Sequence, residues 1–222
     1  GQPLIVGDLK VLKKSLRRRP HPFELIPWKP GVPLPRSSMA VPVYGISFLR
    51  SSQCRPGKPT KACGEAVFQY IKAAAGLVTS HIAQAMATAP ISKTALRLAG
   101  YPYPGHTEFL AELSQTKECR MMLLGKRLKV VLVTMHIPLS RVARVLTCGQ
   151  IRMTVELTHQ ALRKLFAISR PRIAVAALNP HAGEEGILGI EEQKIILPAV
   201  KQAVRRGVPV DGPLPADSLF PR

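Results

Sequence analysis

Five polar residues of the sequence stand just after short apolar runs, at positions where β-strands would end. They are Asp8, Lys93, His136, Asn179 and His181. The apolar runs before them are residues 3–6, 82–88 and 128–134 and, for Asn179 and His181 together, residues 172–178. In open parallel α/β sheets, ligands bind in the crevice beyond the carboxyl ends of the strands. The spacing therefore predicts that four strands deliver acidic, basic and metal-ligating groups to one rim. For each histidine, a hydrogen-bonding or capping role and a metal-ligand role both remain open.

Longer amphipathic segments alternate with these apolar runs. Four segments carry apolar residues at helical spacing, namely residues 64–77, 107–117, 151–166 and 191–206. Pro198 is expected to kink or restart the last of these helices. The alternation of strands and helices predicts an α/β fold with a largely parallel sheet. Residues 20–59 are crowded with prolines, which predicts irregular or edge structure there.

The composition is that of a globular protein. Of the 222 residues, 46% are hydrophobic and 5% are aromatic, which is enough to form a sizeable core. No apolar run reaches the roughly 18 residues of a membrane span, and the first residues lack the pattern of a signal peptide. We therefore expect a cytoplasmic protein without a membrane partner. The four cysteines form no Cys-x-x-Cys pair, which favours reduced structural thiols over a zinc knuckle or a disulfide framework.

The charge of the chain is strongly positive. There are 32 lysines and arginines against 13 acidic residues, so the formal net charge is +19. A charge of this size attracts polyanions, and nucleic acid has to be considered as a partner. The basic residues are spread along the chain, however, with one dense run at Arg17, Arg18 and Arg19, and no nucleic-acid-binding module accompanies them. We interpret the charge as a solvated basic surface that also suits a phosphorylated substrate, and we expect no nucleic-acid partner.

Four longer motifs occur in a fixed order along the chain. They are Tyr103-Pro104-Gly105-His106-Thr107-Glu108, Thr134-Met135-His136-Ile137-Pro138-Leu139, Leu178-Asn179-Pro180-His181-Ala182-Gly183-Glu184 and Asp211-Gly212-Pro213-Leu214-Pro215-Ala216-Asp217. In this order they resemble the 4-hydroxythreonine-4-phosphate dehydrogenase family. Two shorter stretches, Val6-Gly7-Asp8 and Ala89-Pro90-Ile91-Ser92-Lys93, are also similar to family stretches. The likeness is specific from Gly64 onward and weak over residues 10–61.

The resemblance implies a fold and an assembly. The family is similar to isocitrate and isopropylmalate dehydrogenases, which are two-domain α/β/α enzymes with the domains around a cleft. We accordingly expect residues 1–105 to belong to a first domain and residues 106–222 to a second, central domain that carries metal, substrate and dimerisation surfaces. A homodimer is implied by the same resemblance.

The resemblance also implies the chemistry and the residues that carry it. His106 and Thr107 would contact a small phosphorylated substrate, and His136 and His181 would be two of three histidines that hold a divalent metal ion such as zinc, magnesium or cobalt. The family oxidises the 3-hydroxyl of 4-phosphooxy-L-threonine with NAD or NADP, in the biosynthesis of vitamin B6. The product is a β-keto acid that decarboxylates to 3-amino-2-oxopropyl phosphate. Imidazole ligands with open coordination positions suit such a reaction, because a coordinated hydroxyl loses its proton more readily.

The nucleotide site has no visible fingerprint. Gly183, Gly186 and Gly189 are spaced as Gly-x-x-Gly-x-x-Gly, which departs from the Gly-x-Gly-x-x-Gly of dinucleotide-binding turns, so a flexible connecting turn is the interpretation that we adopt. Enzymes of the isocitrate dehydrogenase type bind NAD without that fingerprint. The absence is therefore compatible with the resemblance.

The chain departs from the family pattern at both ends. Relative to the family, we expect it to lack a leading strand and helix and also the Tyr-His-Asp-Gln-Gly stretch that supplies the third metal histidine. On that expectation, the 222-residue chain alone has little dehydrogenase activity. Two alternatives stay open. One is a related dehydrogenase of four-carbon sugar-acid phosphates such as threonate or erythronate 4-phosphate, and the other is an inactive basic binding protein on an enzyme scaffold.

Overall fold

The computed structural model of the chain describes residues 2–17, 21–47, 49–50 and 52–221. Arg18 and Arg19 of the dense basic run lie outside the described residues. The fold is mixed α/β, as the alternation of strands and helices predicted, and it divides into two compact units, Gly1–Cys119 and Arg120–Arg222. The domain boundary expected after residue 105 falls inside the first unit. His106 and Thr107 therefore belong to the first unit in this division.

In its described residues, the first unit contains a parallel sheet and four helices. Its elements are β1 (Ile5–Gly7), α1 (Leu9–Leu16), β2 (Glu24–Trp28), β3 (Ala40–Gly45), α2 (Lys61–Thr79), α3 (Lys93–Leu98) and α4 (His106–Leu113). β3 is central and pairs in parallel with β1 on one side and β2 on the other. Val43 in β3 is fully buried, and Leu25 and Trp28 of β2 are buried beside it.

The prediction of irregular or edge structure for residues 20–59 holds for β2, which is an edge strand, but it was wrong for β3. β3 is the middle strand of the sheet although Pro42 lies within it, opposite Ile26 of β2. The pairing of β1 with β3 begins only at Ile5 and Val43, so Pro42 stands one residue before the β1 ladder. A proline lacks the N–H that a strand needs for pairing on both of its sides. Because Pro42 lies outside the β1 ladder, β3 can contain this proline and still be the central strand.

The strand predicted at residues 82–88 was also wrong. α2 ends at Thr79, His81 has a φ of 59°, and the amides of Ile82 and Ala83 donate to the carbonyl of Leu77. The segment that follows has no regular structure before α3. It is rich in alanine, which has little preference for strands, and its one large β-branched apolar residue, Ile82, is half exposed.

Gly64 permits the close packing of α2 against α3. A Cβ atom built on Gly64 would lie 2.0 Å from the carbonyl oxygen of Ala95 and 2.9 Å from the Cβ of Ala99. A backbone oxygen cannot move away as a flexible side chain can. Only glycine therefore allows the two helices to approach this closely.

We expect Gly64→Ala to lower the free energy of unfolding by about 3 kcal/mol, because α3 must shift to relieve the clash. Gly76→Ala, in the same helix, is the matched control, since a Cβ there would meet nothing within 4 Å. That substitution should stabilise the protein by roughly 0.5–1 kcal/mol through the better helix propensity of alanine. Urea denaturation of both variants measures the two effects, and equal stabilities would contradict the packing described for α2 and α3.

The second unit has two separate two-stranded sheets. Its elements are β4 (Met122–Leu124), β5 (Lys129–Val131), α5 (Val142–Val145), α6 (Cys148–Lys164), β6 (Ile173–Ala176), α7 (Leu197–Arg205), β7 (Val210–Leu214) and α8 (Ala216–Leu219). β4 and β5 are antiparallel, whereas β6 and β7 are parallel. α6 and α7 bury their apolar faces in one core that includes Ile151, Val155, Val200 and Val210.

The predicted helices are present with altered ends. The helix predicted at 107–117 is the shorter α4, which stops at Leu113, and Gln115 then has a φ of 52°. The helix predicted at 191–206 begins with a π-helical turn, Glu192–Ile196, and continues as α7 with Pro198 in its first turn. A wider turn before a proline accommodates its missing N–H, so the restart predicted at Pro198 is confirmed. Among the described residues, no helix is both long and apolar enough to span a bilayer.

Candidate functional site

The carboxyl ends of β6 and β7 bring together a histidine and an aspartate. His181 follows β6, and Asp217 lies in α8 just after β7. The Nδ1 atom of His181 is 3.0 Å from the Oδ2 atom of Asp217, and the two side chains are 62% and 54% exposed. Because the two strands are parallel, their carboxyl ends lie at the same edge of the sheet. Ligands of open α/β sheets bind at that edge.

The contact between His181 and Asp217 fixes the orientation of the imidazole. When Nδ1–H donates to the Asp217 carboxylate, the Nε2 lone pair is left available to a metal ion. An exposed pair of this kind contributes little to stability, typically less than about 1 kcal/mol. The arrangement is therefore better suited to presenting a ligand than to holding the fold together.

The backbone around His181 adopts an uncommon conformation. Residues 181–185 all have left-handed backbone angles, with φ of 49° at His181, 80° at Gly183 and 56° at Glu185. For residues other than glycine this conformation costs roughly 1–2 kcal/mol each. A run of this length persists only where the surrounding structure determines it, and such strain often occurs at functional sites.

Glu192 is the residue that fixes this turn. Its side chain is buried, and its Oε1 atom accepts hydrogen bonds from the amides of Leu178, at 2.8 Å, and Asn179, at 2.7 Å. Its Oε2 atom accepts from the side-chain amide of Asn179 at 2.9 Å, and the same amide also donates to Glu191 at 2.8 Å. The end of β6 is thus attached to the π-helical turn by charge-assisted hydrogen bonds.

The titration of Glu192 reflects these hydrogen bonds. Burial by itself would raise the pKa of this carboxyl, but the bonds donated by the backbone and side chain of Asn179 and by Leu178 outweigh it. The pKa of Glu192 consequently lies below its ordinary value of 4.5. The side chain is therefore an anion at neutral pH, although it is buried.

The three glycines of the Gly-x-x-Gly-x-x-Gly stretch allow this turn to pack tightly. A Cβ on Gly183 would lie 2.8 Å from the carbonyl oxygen of Gly189 and 2.9 Å from Oε2 of Glu192, and a Cβ on Gly189 would lie 2.3 Å from Asn179. Gly183, Gly186 and Gly189 all have positive φ. The stretch is a connecting turn, as the sequence indicated, but it is tightly packed where a flexible turn was expected.

His136 lies in a second turn of the same unit. It is exposed, has a φ of 57°, and stands between β5 and a short 3-10 turn, Leu139–Arg141. Within the part of the chain that the structure describes, no three His, Cys, Asp or Glu side chains form a group that could hold a metal ion. The assignment of His136 and His181 to one metal stays a prediction.

His106 and Thr107 occupy the first two positions of α4. Gly105 is the N-cap and supplies no side-chain hydrogen bond, so the amides of the first turn are left for another acceptor. Phe109, which is 1% exposed, anchors the helix by stacking on Phe68 and Tyr103, with ring centroids 4.9 Å and 4.4 Å away. A helix start of this kind favours anions such as phosphate.

The prediction that four strands of one sheet share a rim was wrong. The strand expected before Lys93 is absent, and Lys93 is the exposed first residue of α3. Asp8 does follow β1, but it is buried and caps α1, accepting from the amides of Lys10 and Val11. His136 and His181 follow strands of two different sheets.

Asp8 has a structural role. Burial would raise the pKa of its carboxyl, but hydrogen bonds from the amides of Leu49, Val11 and Lys10 and from the hydroxyl of Ser47 outweigh burial and lower it. Its two oxygens are already hydrogen-bonded to these groups. We therefore place Asp8 outside the candidate site.

Sequence reasoning missed the parts played by Asp217 and Glu192. The position of Asp217 in the sequence was a usable signal, because this acid follows β7 just as His181 follows β6. Glu192 gave no such signal, since an acid in an amphipathic segment normally faces solvent. Its burial arises from the π-helical turn, which turns it toward the end of β6.

Comparison with known proteins identifies the family of the chain. A family model described as "Pyridoxal phosphate biosynthetic protein PdxA" matches residues 1–222. The chain is 40% identical to the 4-hydroxythreonine-4-phosphate dehydrogenase of Desulforapulum autotrophicum over 219 residues, which are 99% of this chain and 64% of that protein. It is 38% identical to the D-threonate 4-phosphate dehydrogenase of Cupriavidus necator over 222 residues, which are 100% of this chain and 66% of that protein.

A solved structure agrees with these matches. The crystal structure of 4-hydroxythreonine-4-phosphate dehydrogenase from Klebsiella pneumoniae superposes with a TM-score of 0.92 at 37% identity, covering 98% of this chain and 66% of that one. This match confirms the fold class that the resemblance implied. The chain spans 64–66% of the length of these three relatives. On the family model, the identities and the fold together, the chain belongs to the PdxA family of pyridoxal phosphate biosynthetic proteins.

Proposed function

We propose that this chain carries the central part of an NAD(P)-dependent dehydrogenase that oxidises the 3-hydroxyl of 4-phosphooxy-L-threonine. In that reaction the hydroxyl loses a proton and C3 loses a hydride to the nicotinamide, which leaves a β-keto acid. The acid then loses carbon dioxide and gives 3-amino-2-oxopropyl phosphate. The observation that carries the proposal is the contact of His181 with Asp217 at the carboxyl ends of β6 and β7, in a chain of this family.

His136 and His181 are the residues that would hold the divalent ion. Both are exposed imidazoles in turns that follow strands, and Asp217 leaves Nε2 of His181 available. Imidazole suits zinc and cobalt, whereas magnesium prefers oxygen ligands, so we expect zinc or cobalt to bind more tightly than magnesium. When bound, the ion would polarise the substrate hydroxyl and favour loss of its proton.

The start of α4 is the part of the chain that would receive the phosphate of the substrate. His106 and Thr107 stand there beside amides that have no side-chain cap. The helix dipole adds a partial positive charge at this end. The net charge of +19 would also raise the local concentration of a phosphorylated substrate.

A second substrate has specific support. The Cupriavidus necator relative is a D-threonate 4-phosphate dehydrogenase, and it is nearly as similar to this chain, at 38% identity, as the Desulforapulum autotrophicum enzyme is, at 40%. The two substrates share the phosphate and the hydroxyl and differ at C2, which carries an amino group in one and a hydroxyl in the other. Identity therefore does not decide between them, and both belong in the assay.

The test is formation of NADH or NADPH from each substrate with added zinc, magnesium or cobalt. The chain is assayed as it stands and joined to the remaining portions of the Klebsiella pneumoniae relative, because it spans 66% of that protein. We expect metal-dependent turnover in the joined form and a loss of at least about 100-fold in kcat/KM for His136→Ala. His21→Ala is the matched control and should leave the rate unchanged. Turnover that survives metal removal, or none with either substrate, would refute the proposal.

A homodimer is part of the proposal, because the hairpin of β4 and β5 exposes apolar side chains. Leu123, Leu124 and Leu128 are each at least half exposed, and exposed apolar groups of this kind commonly mark protein interfaces. We expect light scattering at moderate salt to give the mass of two chains, and Leu124→Glu to give the mass of one. Leu165→Glu, at an exposed leucine beyond the end of α6, is the control and should stay dimeric. A wild-type monomer at high concentration would contradict this expectation.

A further inference from the structure

Two cysteines of the first unit lie next to each other where the connection from β3 meets α2. Cys63 is in the first turn of α2, and its Sγ atom donates to the carbonyl oxygen of Gln53 at 3.1 Å. The hydroxyl of Thr60, the N-cap of α2, donates to the same oxygen at 2.9 Å. Cys54 is the next residue after Gln53. The Sγ atom of Cys63 is therefore at most roughly 6 Å from the Cα atom of Cys54, given the fixed dimensions of a trans peptide.

The pKa of Cys54 also reflects the neighbouring Cys63 thiol. Burial is the main reason why the pKa of Cys54 is raised, and the adjacent Cys63 thiol adds to the increase, while the positive charge of Lys14 acts against it. Both cysteines are in the reduced form and are partly exposed to solvent. A small oxidant can therefore reach both cysteines of this pair.

We propose that Cys54 and Cys63 form a reversible intramolecular disulfide, so that the connection between β3 and α2 is a thiol-oxidation site. The oxidant is a small-molecule disulfide of the glutathione type. A thiolate of the pair attacks one sulfur of that disulfide and releases one glutathione thiolate. The second cysteine, as its thiolate, then attacks the mixed disulfide and releases the other. Two protein thiols lose two electrons and two protons, and one glutathione disulfide is reduced to two thiols.

The disulfide would tie this connection to the helix that follows it. Asp8 accepts hydrogen bonds from the Leu49 amide and the Ser47 hydroxyl, and that hydroxyl is also hydrogen-bonded to Tyr70 of α2. The connection is thus already attached to the end of β1 and to α2 by these bonds. A disulfide between Cys54 and Cys63 would also join the connection to α2 covalently, for as long as the disulfide is not reduced.

The test uses the chain equilibrated in glutathione buffers of graded redox ratio, quenched with acid, alkylated and measured by mass spectrometry. Prolines follow Arg55 and Lys58, so trypsin does not cut there and yields peptides 51–61 and 62–72, each with one of the two cysteines. We expect these two peptides to be joined in the folded chain at least about tenfold more than any other cysteine pair. Dithiothreitol should separate them completely.

Three controls make the result decisive. In guanidinium the preference for this pair should fall by about tenfold, because the folded geometry that holds the thiols together is lost. Cys63→Ser should leave Cys54 carrying a glutathione adduct instead of a protein disulfide, and Cys148→Ser should change nothing. The proposal is overturned if the joined peptides do not form at any ratio, if they are no more abundant in the folded than in the unfolded chain, or if the link joins two molecules.

Discussion

Replacing Glu192 with alanine is expected to lower the free energy of unfolding of the second unit by about 4 kcal/mol. The substitution leaves the amides of Leu178 and Asn179 and one side-chain N–H of Asn179 without the carboxylate that they now reach. Each unsatisfied buried donor costs roughly 1–3 kcal/mol. Urea denaturation followed by circular dichroism measures the change.

Glu191 offers a matched control for that substitution. It precedes Glu192 in the chain and, among the described residues, accepts one side-chain hydrogen bond, from Asn179, so Glu191→Ala should cost less than about 1 kcal/mol. Glu192→Gln keeps the shape of the side chain but removes its charge, and it should fall between the two. Equal effects of the Glu191 and Glu192 substitutions would show that the left-handed turn does not depend on the buried carboxylate.

The contribution of Glu192 should also depend on pH. Its pKa is lower in the folded chain than its ordinary value of 4.5, so the unfolded state binds more protons in that range. Stability from this group is therefore fully present above pH 4.5 and is lost as the pH falls through the lower folded value. The stability difference between wild type and Glu192→Gln should shrink below pH 4.5, and a difference that grows on acidification would contradict this account.

Asp217→Asn is expected to weaken cobalt or zinc binding by about 10–100-fold, the usual effect of removing the carboxylate that orients a metal-bound histidine. The asparagine keeps the size of the side chain but no longer favours Nδ1–H on His181. Asp211→Asn is the control, because Asp211 is an exposed acid of β7 for which the structure gives no contact with His181. Isothermal titration of each variant with zinc gives the affinities. Equal losses for the two substitutions would indicate a general effect of charge and would remove Asp217 from the site.

Elements with strong local signals could be predicted from the sequence. α2 and α6 carry long amphipathic patterns, and β1, β5 and β6 are β-branched runs with a polar residue beyond them. Residue propensities gave the wrong prediction where the pairing between strands determined the structure. β3 became a central strand in spite of Pro42 because the β1 ladder begins one residue later. The position at which β1 begins to pair depends on β1 itself, and the prolines in the sequence do not indicate it.

The candidate site could be predicted only in part, for a physical reason of the same kind. His181 and His136 stand in motifs that local sequence displays. The orientation of His181 depends on Asp217, which is distant in sequence, and its backbone depends on Glu192, which reaches back from a π-helical turn. Asp217 offers only its position after a strand as a signal, and Glu192 offers no periodic or compositional signal. Lys93 and Asp8 looked similar in the sequence but are an exposed helix residue and a buried cap.

Anomalous diffraction from crystals of the cobalt-loaded protein tests the central claim most directly, because it locates the ion without depending on activity. The account predicts one peak about 2.1 Å from Nε2 of His181, with an imidazole nitrogen of His136 as a second ligand. Nδ1 of His181 should still contact Asp217. A peak on Nδ1, a peak that His181 does not reach, or separate peaks on the two histidines would contradict the assignment of a shared metal site.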